Sequence, residues 1–99
     1  MDRRLSSLLS LAAKSGNITT GEDSCVRAIR NGSAKLVIVA TDASDNTRKK
    51  FKDKAGFYNV PHCEFSAKEE LNKTIGKSNR ATLVITDAGF AGAIKELTR

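Results

Sequence analysis

Two short runs, LVIVATDAS and LVITDAG, each carry an apolar β-branched stretch into Thr-Asp-Ala, placing Asp42 and Asp87 just past the ends of candidate strands. In open α/β sheets ligands bind at that position, so two carboxylates there could serve a small-ligand enzyme. Two parallel strands, each feeding a helix through an Asp N-cap, account for both acids more simply. His62, the one histidine, adjoins Cys63 in an extended run. Adjacent strand residues point to opposite faces, so these two do not share a metal. No GxGxxG fingerprint and no P-loop follows either apolar run, so a nucleotide-phosphate site lacks its loop. These residues argue against an enzyme and give no reason for a metal or a cofactor.

Binding chemistry is better represented. Seventeen Lys and Arg against eleven Asp and Glu leave a net charge of +6 and a pI near 9.6. That balance makes nucleic acid the first partner to consider and an anionic membrane surface the second. The cations fall in three groups: Arg27 and Arg30 in TGEDSCVRAIRNG, RKKFKDK at 48–54, and Lys77 and Arg80 in GKSNR. The first group follows two acids, Glu22 and Asp23, which complement the dipole of a helix that opens there.

The elements that position these groups are legible from spacing. Leu5, Leu8, Leu9 and Ala12 repeat at helical intervals, predicting an amphipathic helix over 3–14 ended by Gly16. NITT is a short strand candidate, and Glu22 to Asn31 a second helix with Cys25, Val26 and Ile29 inward and Gly32 as a left-handed terminator. KLVIVAT, 35–41, reads as a strand buried on both faces of a parallel sheet. A third helix follows to about Tyr58 with Phe51, Ala55 and Tyr58 as its inner stripe. VPHCEF is extended and near a sheet edge because of Pro61. Ser66 with Glu69 forms a capping box for a short helix ending at Gly76. TLVIT is the second buried strand, and 88–97 the closing helix. Helices alternating with buried strands give an α/β/α sandwich around a small, mostly parallel sheet. Ninety-nine residues suit one domain, 1–99. If the sheet is parallel, Gly21 to Ser24, Arg27, and Lys77 to Arg80 share one edge.

Neither cysteine belongs to a CxxC pair, no signal peptide is apparent, and no apolar run reaches the roughly 18 residues of a membrane span. A soluble, cytoplasmic protein with Cys25 and Cys63 buried as small hydrophobes is expected, and nothing demands more than a monomer.

The run GEDSCVRAIRNGSAKLVIVATDAS resembles the kink-turn-binding ribosomal protein family of the archaeal "L seven Ae" and eukaryotic "L thirty e" type. It is most similar to that family's small bacterial YlxQ-like branch. LAAKSGN, DASDNTRKK, YNVP, EELNKTIGK and VITDAGFAGAI extend the likeness, in family order, over nearly the whole chain. The resemblance implies a three-layer α/β/α sandwich with a four-stranded mixed sheet and a protein that binds structured, sharply kinked RNA. In the family a Gly-x-Asn-Glu signature opens helix two, with a Lys one turn on. These positions fall on Gly21, Asp23, Ser24 and Arg27, and the loop that touches flipped-out bases falls on Lys77, Ser78, Asn79 and Arg80. Asp23 replaces an amide with a group that, ionised, only accepts hydrogen bonds, and Ser24 replaces a carboxylate.

Chemistry and resemblance together give the expected RNA site: Gly21, Glu22, Asp23, Ser24, Arg27, Arg30, Lys77, Ser78, Asn79 and Arg80. A carboxylate at Glu22 or Asp23 accepts from guanine N–H groups, as acids accept from cytosine in a duplex groove. The helix N-terminus opened by Gly21 takes a phosphate, and Arg27 and Arg30 neutralise others. The expected partner is an rRNA or another kink-turn RNA, on or off the ribosome. None of the five aromatics falls in this site, so stacking of bases is not expected there. The runner-up is a protein-interaction domain on the same fold whose basic helix, 48–54, docks an acidic partner.

Overall fold

Short polar residues that satisfy the first free amides start three of the five helices. The computed structural model describes residues 1–98. The elements are α1 (Arg3–Lys14), β1 (Ile18–Thr20), α2 (Glu22–Arg30), β2 (Leu36–Val39), α3 (Asp45–Phe57), β3 (His62–Cys63), α4 (Lys68–Ile75), β4 (Thr82–Ile85) and α5 (Ala88–Leu97). Asp2 caps α1 by accepting from the Arg4 amide at 3.0 Å, Ser44 caps α3 from Thr47 at 3.2 Å, and Asp87 caps α5 from Phe90 at 2.9 Å. Gly76 ends α4 in the left-handed conformation, φ +72°.

The four strands form one sheet in the order β1-β4-β2-β3. β4 is antiparallel to both neighbours, pairing Thr20 with Leu83 on one side and Val37 with Val84 on the other. β3 runs parallel to β2 at the edge, with His62 beside Val37. The sheet is therefore mixed, as the resemblance implies, and the parallel pairing of the two apolar strands expected from burial is corrected. Helix layers on both faces bury a central strand whichever way its neighbour runs, so β2 and β4 are fully buried without being parallel.

Alternation along β2 builds two cores. Leu36 and Ile38 face a cluster with Leu5 and Leu9 of α1, Leu71 and Ile75 of α4, and Ile94 of α5. Val37 and Val39 face the other way, onto Cys25 and Ile29 of α2 and Phe51 and Ala55 of α3. Three layers result: α1, α4 and α5; the sheet; α2 and α3.

Antiparallel pairing also separates the two acids. Asp42 follows β2 at the end where β4 begins, whereas Asp87 follows β4 at the opposite end. No carboxylate pair forms. Asp42 does not cap the helix that follows it; its Oδ1 accepts from the Lys68 amide at 2.8 Å and so caps α4 across the fold. This displaces the expected Ser66–Glu69 box: Ser66 donates instead to Glu70. Tyr58 also leaves its expected stripe. The chain turns there, Asn59 adopts φ +57°, and Val60 takes the place against the α2–α3 cluster.

His62 and Cys63 are half-buried on the edge strand. Burial lowers the imidazole pKa, against the nearby Glu64 and with help from Lys52. Among the described residues no group of three or more His, Cys, Asp or Glu could hold a metal, and no helix is long and apolar enough to cross a membrane.

Candidate nucleic-acid interface

Gly21 links the end of β1 to the start of α2. Its amide donates to the Thr82 carbonyl at 3.3 Å, prolonging the β1–β4 ladder, and its φ of +94° is a conformation that side chains oppose. No side chain caps α2, so its first turn offers free amides and the positive end of a dipole. Glu22 and Asp23 stand exposed in that turn, with Arg27 and Arg30 exposed further along.

The loop before β4 is held by a residue that sequence reasoning missed. Asn72 lies on the buried face of α4, 6% exposed. Its Nδ2 donates to the Arg80 carbonyl at 2.8 Å and to the Lys68 carbonyl at 2.6 Å, while its Oδ1 accepts from the Arg80 amide at 2.9 Å. The Asn72 carbonyl accepts from the Lys77 amide at 3.0 Å. One amide side chain thus imitates a strand partner for Arg80 and fixes where the loop points. Asn79 at the tip is left-handed, φ +58°, and its Oδ1 accepts from Lys68 Nζ at 3.3 Å. The signal available in the sequence was an amide at a position whose helical neighbours, Leu71 and Ile75, are apolar.

Because β1 and β4 are antiparallel, the end of one abuts the start of the other. Gly21 therefore meets the loop, by the opposite strand geometry from the one expected. Arg80 Nη1 lies 3.5 Å from where a Gly21 Cβ would sit. Gly21, Glu22, Asn79 and Arg80 line a shallow cleft of about 190 Å³ with Thr47 and Thr82. Asp23, Arg27 and Arg30 line a second, larger groove of about 600 Å³, between α2 and α3, whose other wall carries Lys50 and Lys54. Lys50 Nζ lies 3.4 Å from Glu22 Oε1, so one ion pair joins the two hollows. Lys77 and Ser78 open instead onto a hollow beside α4 that shares Asn79 with the cleft, and Ser24, partly buried, lines none of the three. Nine of the ten expected residues thus form a cleft, a groove and a flank rather than one patch, and Ser24 stands apart from all three.

Charge pairing divides the cations. Arg48 meets Glu64 at 2.9 Å and Lys49 meets Asp53 at 3.8 Å. Among the described residues no carboxylate lies within 4.0 Å of the charged groups of Arg27, Arg30, Lys54 or Arg80. Those four are open to an external anion. No aromatic lines the cleft.

A mixed four-stranded sheet between two helix layers defines an α/β/α sandwich, and at one end of it lies an uncapped helix start with two exposed acids, followed by Arg27 and Arg30. Residues 3–95 match the ribosomal protein L7Ae/L30e/S12e/Gadd45 family, and the chain belongs to that family. It is 47% identical over 90 residues to the RNA-binding protein YlxQ of Enterococcus faecium, covering 91% of this chain and 86% of that one. It is 41% identical to the RNA-binding protein YlxQ of Bacillus subtilis, covering 91% and 90%. A solved structure of a Bacillus halodurans protein of unknown function superposes with a TM-score of 0.94 at 37% identity, over 98% of both chains. As a member of this family the chain is not an enzyme.

Proposed function

We propose that this protein binds structured RNA of the kink-turn type, as a ribosomal or ribosome-associated factor, through the start of α2 and the loop before β4. The observation that carries the reading is the cleft that Gly21 shares with the unpaired Arg80, whose Nη1 lies 3.5 Å from where a Cβ on Gly21 would sit. Family membership and relatives named as RNA-binding proteins support it.

Each group has a role that its chemistry suits. The glycine lets an RNA backbone approach the α2 amides, which take a phosphate. Glu22 and Asp23, exposed in the first turn, accept from the N–H edges of guanines in sheared G·A pairs. Arg80 and Asn79 reach an unpaired base or its phosphate from the other side of the cleft. Arg27 and Arg30 neutralise the strand that continues along α2. Recognition by shape, phosphates and a few base edges is the usual mode for folded RNA.

A gel-shift titration tests this with a kink-turn RNA and a version whose G·A pairs are replaced. Wild-type protein binds the kinked RNA tightly and the control weakly, and Asp23→Ala with Arg27→Ala removes the difference. Equal, weak binding of both RNAs by the wild type overturns the reading and favours an acidic protein partner for α3.

A further inference from the structure

The chain has five aromatic residues, and four are Phe. Phe51 is fully buried, and Phe65 and Phe90 pack against the α1–α4–α5 core. Phe57 does neither: it is 79% exposed, and Tyr58 beside it is 40% exposed. Their rings sit edge to face, centroids 4.9 Å apart with 77° between the planes. Leaving an aromatic pair in water gains the fold nothing, because Val60 already fills the place that the α3 stripe assigns to Tyr58.

The surroundings of the pair are cationic. The groove between α2 and α3 carries Arg27 and Arg30 on one wall and Lys50 and Lys54 on the other. Arg30 also lines a further hollow of about 330 Å³, beyond the end of α2, whose walls include Lys35 and Tyr58. At its near end the groove joins the Gly21–Arg80 cleft through the Lys50–Glu22 pair. A single track therefore runs from the proposed RNA site, past cations spaced one turn apart on two helices, to Tyr58, with the exposed Phe57 ring set against it.

A cationic groove that follows a backbone and ends on flat aromatic faces is what unpaired nucleic acid requires. Resting on the RNA-binding reading above, we infer that the α2–α3 groove holds a single-stranded RNA segment flanking the kinked element, with a base stacked on Phe57 and Tyr58. The phosphates lie along Arg27, Lys54 and Arg30, none of which has a carboxylate partner among the described residues. An acidic peptide would satisfy the cations yet leave the paired rings without a role.

The chain supplies its own reporter. Tyr58 is the one tyrosine and there is no tryptophan, so intrinsic tyrosine emission comes from this position alone. The test titrates three probes: a kink-turn RNA, the same RNA with a short unpaired oligouridine extension at either end, and free oligouridine. An extension at one end is expected to tighten binding about tenfold, the worth of one stacked base, and to quench Tyr58 emission. Phe57→Ala is expected to remove the gain while leaving the unextended RNA bound as before, and Tyr58→Phe to keep it. Phe57 is so exposed that its truncation leaves the melting temperature unchanged, which confirms that the variant is folded. Extended and unextended RNAs binding alike, with Tyr58 emission unaltered, overturns the inference and leaves the kink-turn reading intact. Loss of G·A preference with Phe57-dependent quenching by oligouridine does the reverse, supporting the inference while the kink-turn reading falls. No quenching by any of the three probes overturns the single-strand site outright.

Discussion

The two faces of the sheet carry interhelical grooves of nearly equal size and opposite character. Between α1 and α5 lies a groove of about 560 Å³ whose walls include Leu8, Ala93 and Leu97 along with Arg3, Arg4 and Glu96; between α2 and α3 lies one of about 600 Å³ walled by Arg27, Arg30, Lys50 and Lys54 with Asp23 and Val26. The cores beneath differ in the same sense. Under α1, α4 and α5 the helices contribute Leu5, Leu9, Leu71, Ile75 and Ile94, whereas α2 and α3 contribute Cys25, Ala28 and Ala55 beside Ile29 and Phe51. One layer supplies long aliphatic side chains to the interior. The other keeps its interior contributions mostly small and sends its long side chains outward as cations. The longer aliphatic contribution to the core thus lies on one face of the sheet, and the groove of the proposed RNA site on the other.

Breaking that division needs substitutions on both sides. Leu9→Ala and Ile38→Ala, each at a fully buried position, are expected to cost about 2–5 kcal/mol in urea unfolding. The folded fraction keeps its affinity for RNA. Arg27→Glu with Arg30→Glu is expected to cost about 1 kcal/mol, because both sit in the last turn of α2 where the helix dipole favours cations, while RNA binding collapses. Charge reversals as costly to the fold as the core truncations would sink the comparison.

Asn72 and Gly21 sharpen it, because they belong to the fold and the proposed site at once. Asn72→Ala leaves the Arg80 amide and carbonyl without their partners, at a cost of about 1–3 kcal/mol. It also frees the loop, so RNA affinity falls at salt and temperature where the protein is still folded. Gly21→Ala forces a Cβ onto a φ of +94°, a strain of about 1–3 kcal/mol. Space is not the obstacle, since Arg80 Nη1 stands at van der Waals distance, 3.5 Å. Both effects are read by paired melting and gel-shift curves.

These same residues mark where sequence reading stopped. Helix bounds were legible because apolar spacing and short polar residues act locally: α1 falls on 3–14 and α5 on 88–97. Strand direction was not, because burial on both faces looks the same for Val37 beside a parallel or an antiparallel neighbour. Asp42 and Asn72 bond to residues 26 and 8 positions away, contacts that no local pattern encodes. Tyr58 failed for a related reason: helical spacing places it inward, but the helix ends at Phe57 and the turn releases it. Chemistry and resemblance nominated the individual residues of the proposed site. Their division between cleft, groove and flank required the fold.

A smaller effect concerns salt. Arg27→Ala and Arg30→Ala, taken singly, should each lower the slope of log affinity against log salt by about 0.7–0.9. Lys49→Ala should not, because Lys49 is engaged with Asp53 on the far side of α3's charge pattern. An equal drop for all three would mean that the whole helix surface, not the groove, meets the RNA.

The smallest effect uses the one thiol in each core. Cys25 lies in the α2–α3 cluster and Cys63 packs against the other. Burial pushes both up from 9.0 to about 11, with weak opposing hydrogen bonds, from Thr82 and Val84 at Cys25 and from Thr98 at Cys63. A folded pKa above the unfolded one favours the neutral thiol. Its contribution is therefore complete below pH 9 and is lost as pH rises from 9 toward 11. Burial thus leaves less thiolate at neutral pH than in the unfolded chain, and alkylation slows accordingly. Cys63, partly exposed at the sheet edge, reacts by small local openings, whereas Cys25, fully buried, waits for α2 to lift. Alkylation timed by mass spectrometry should therefore label Cys63 first. Bound RNA should slow Cys25 and leave Cys63 alone, because the ligand clamps only the layer that it touches.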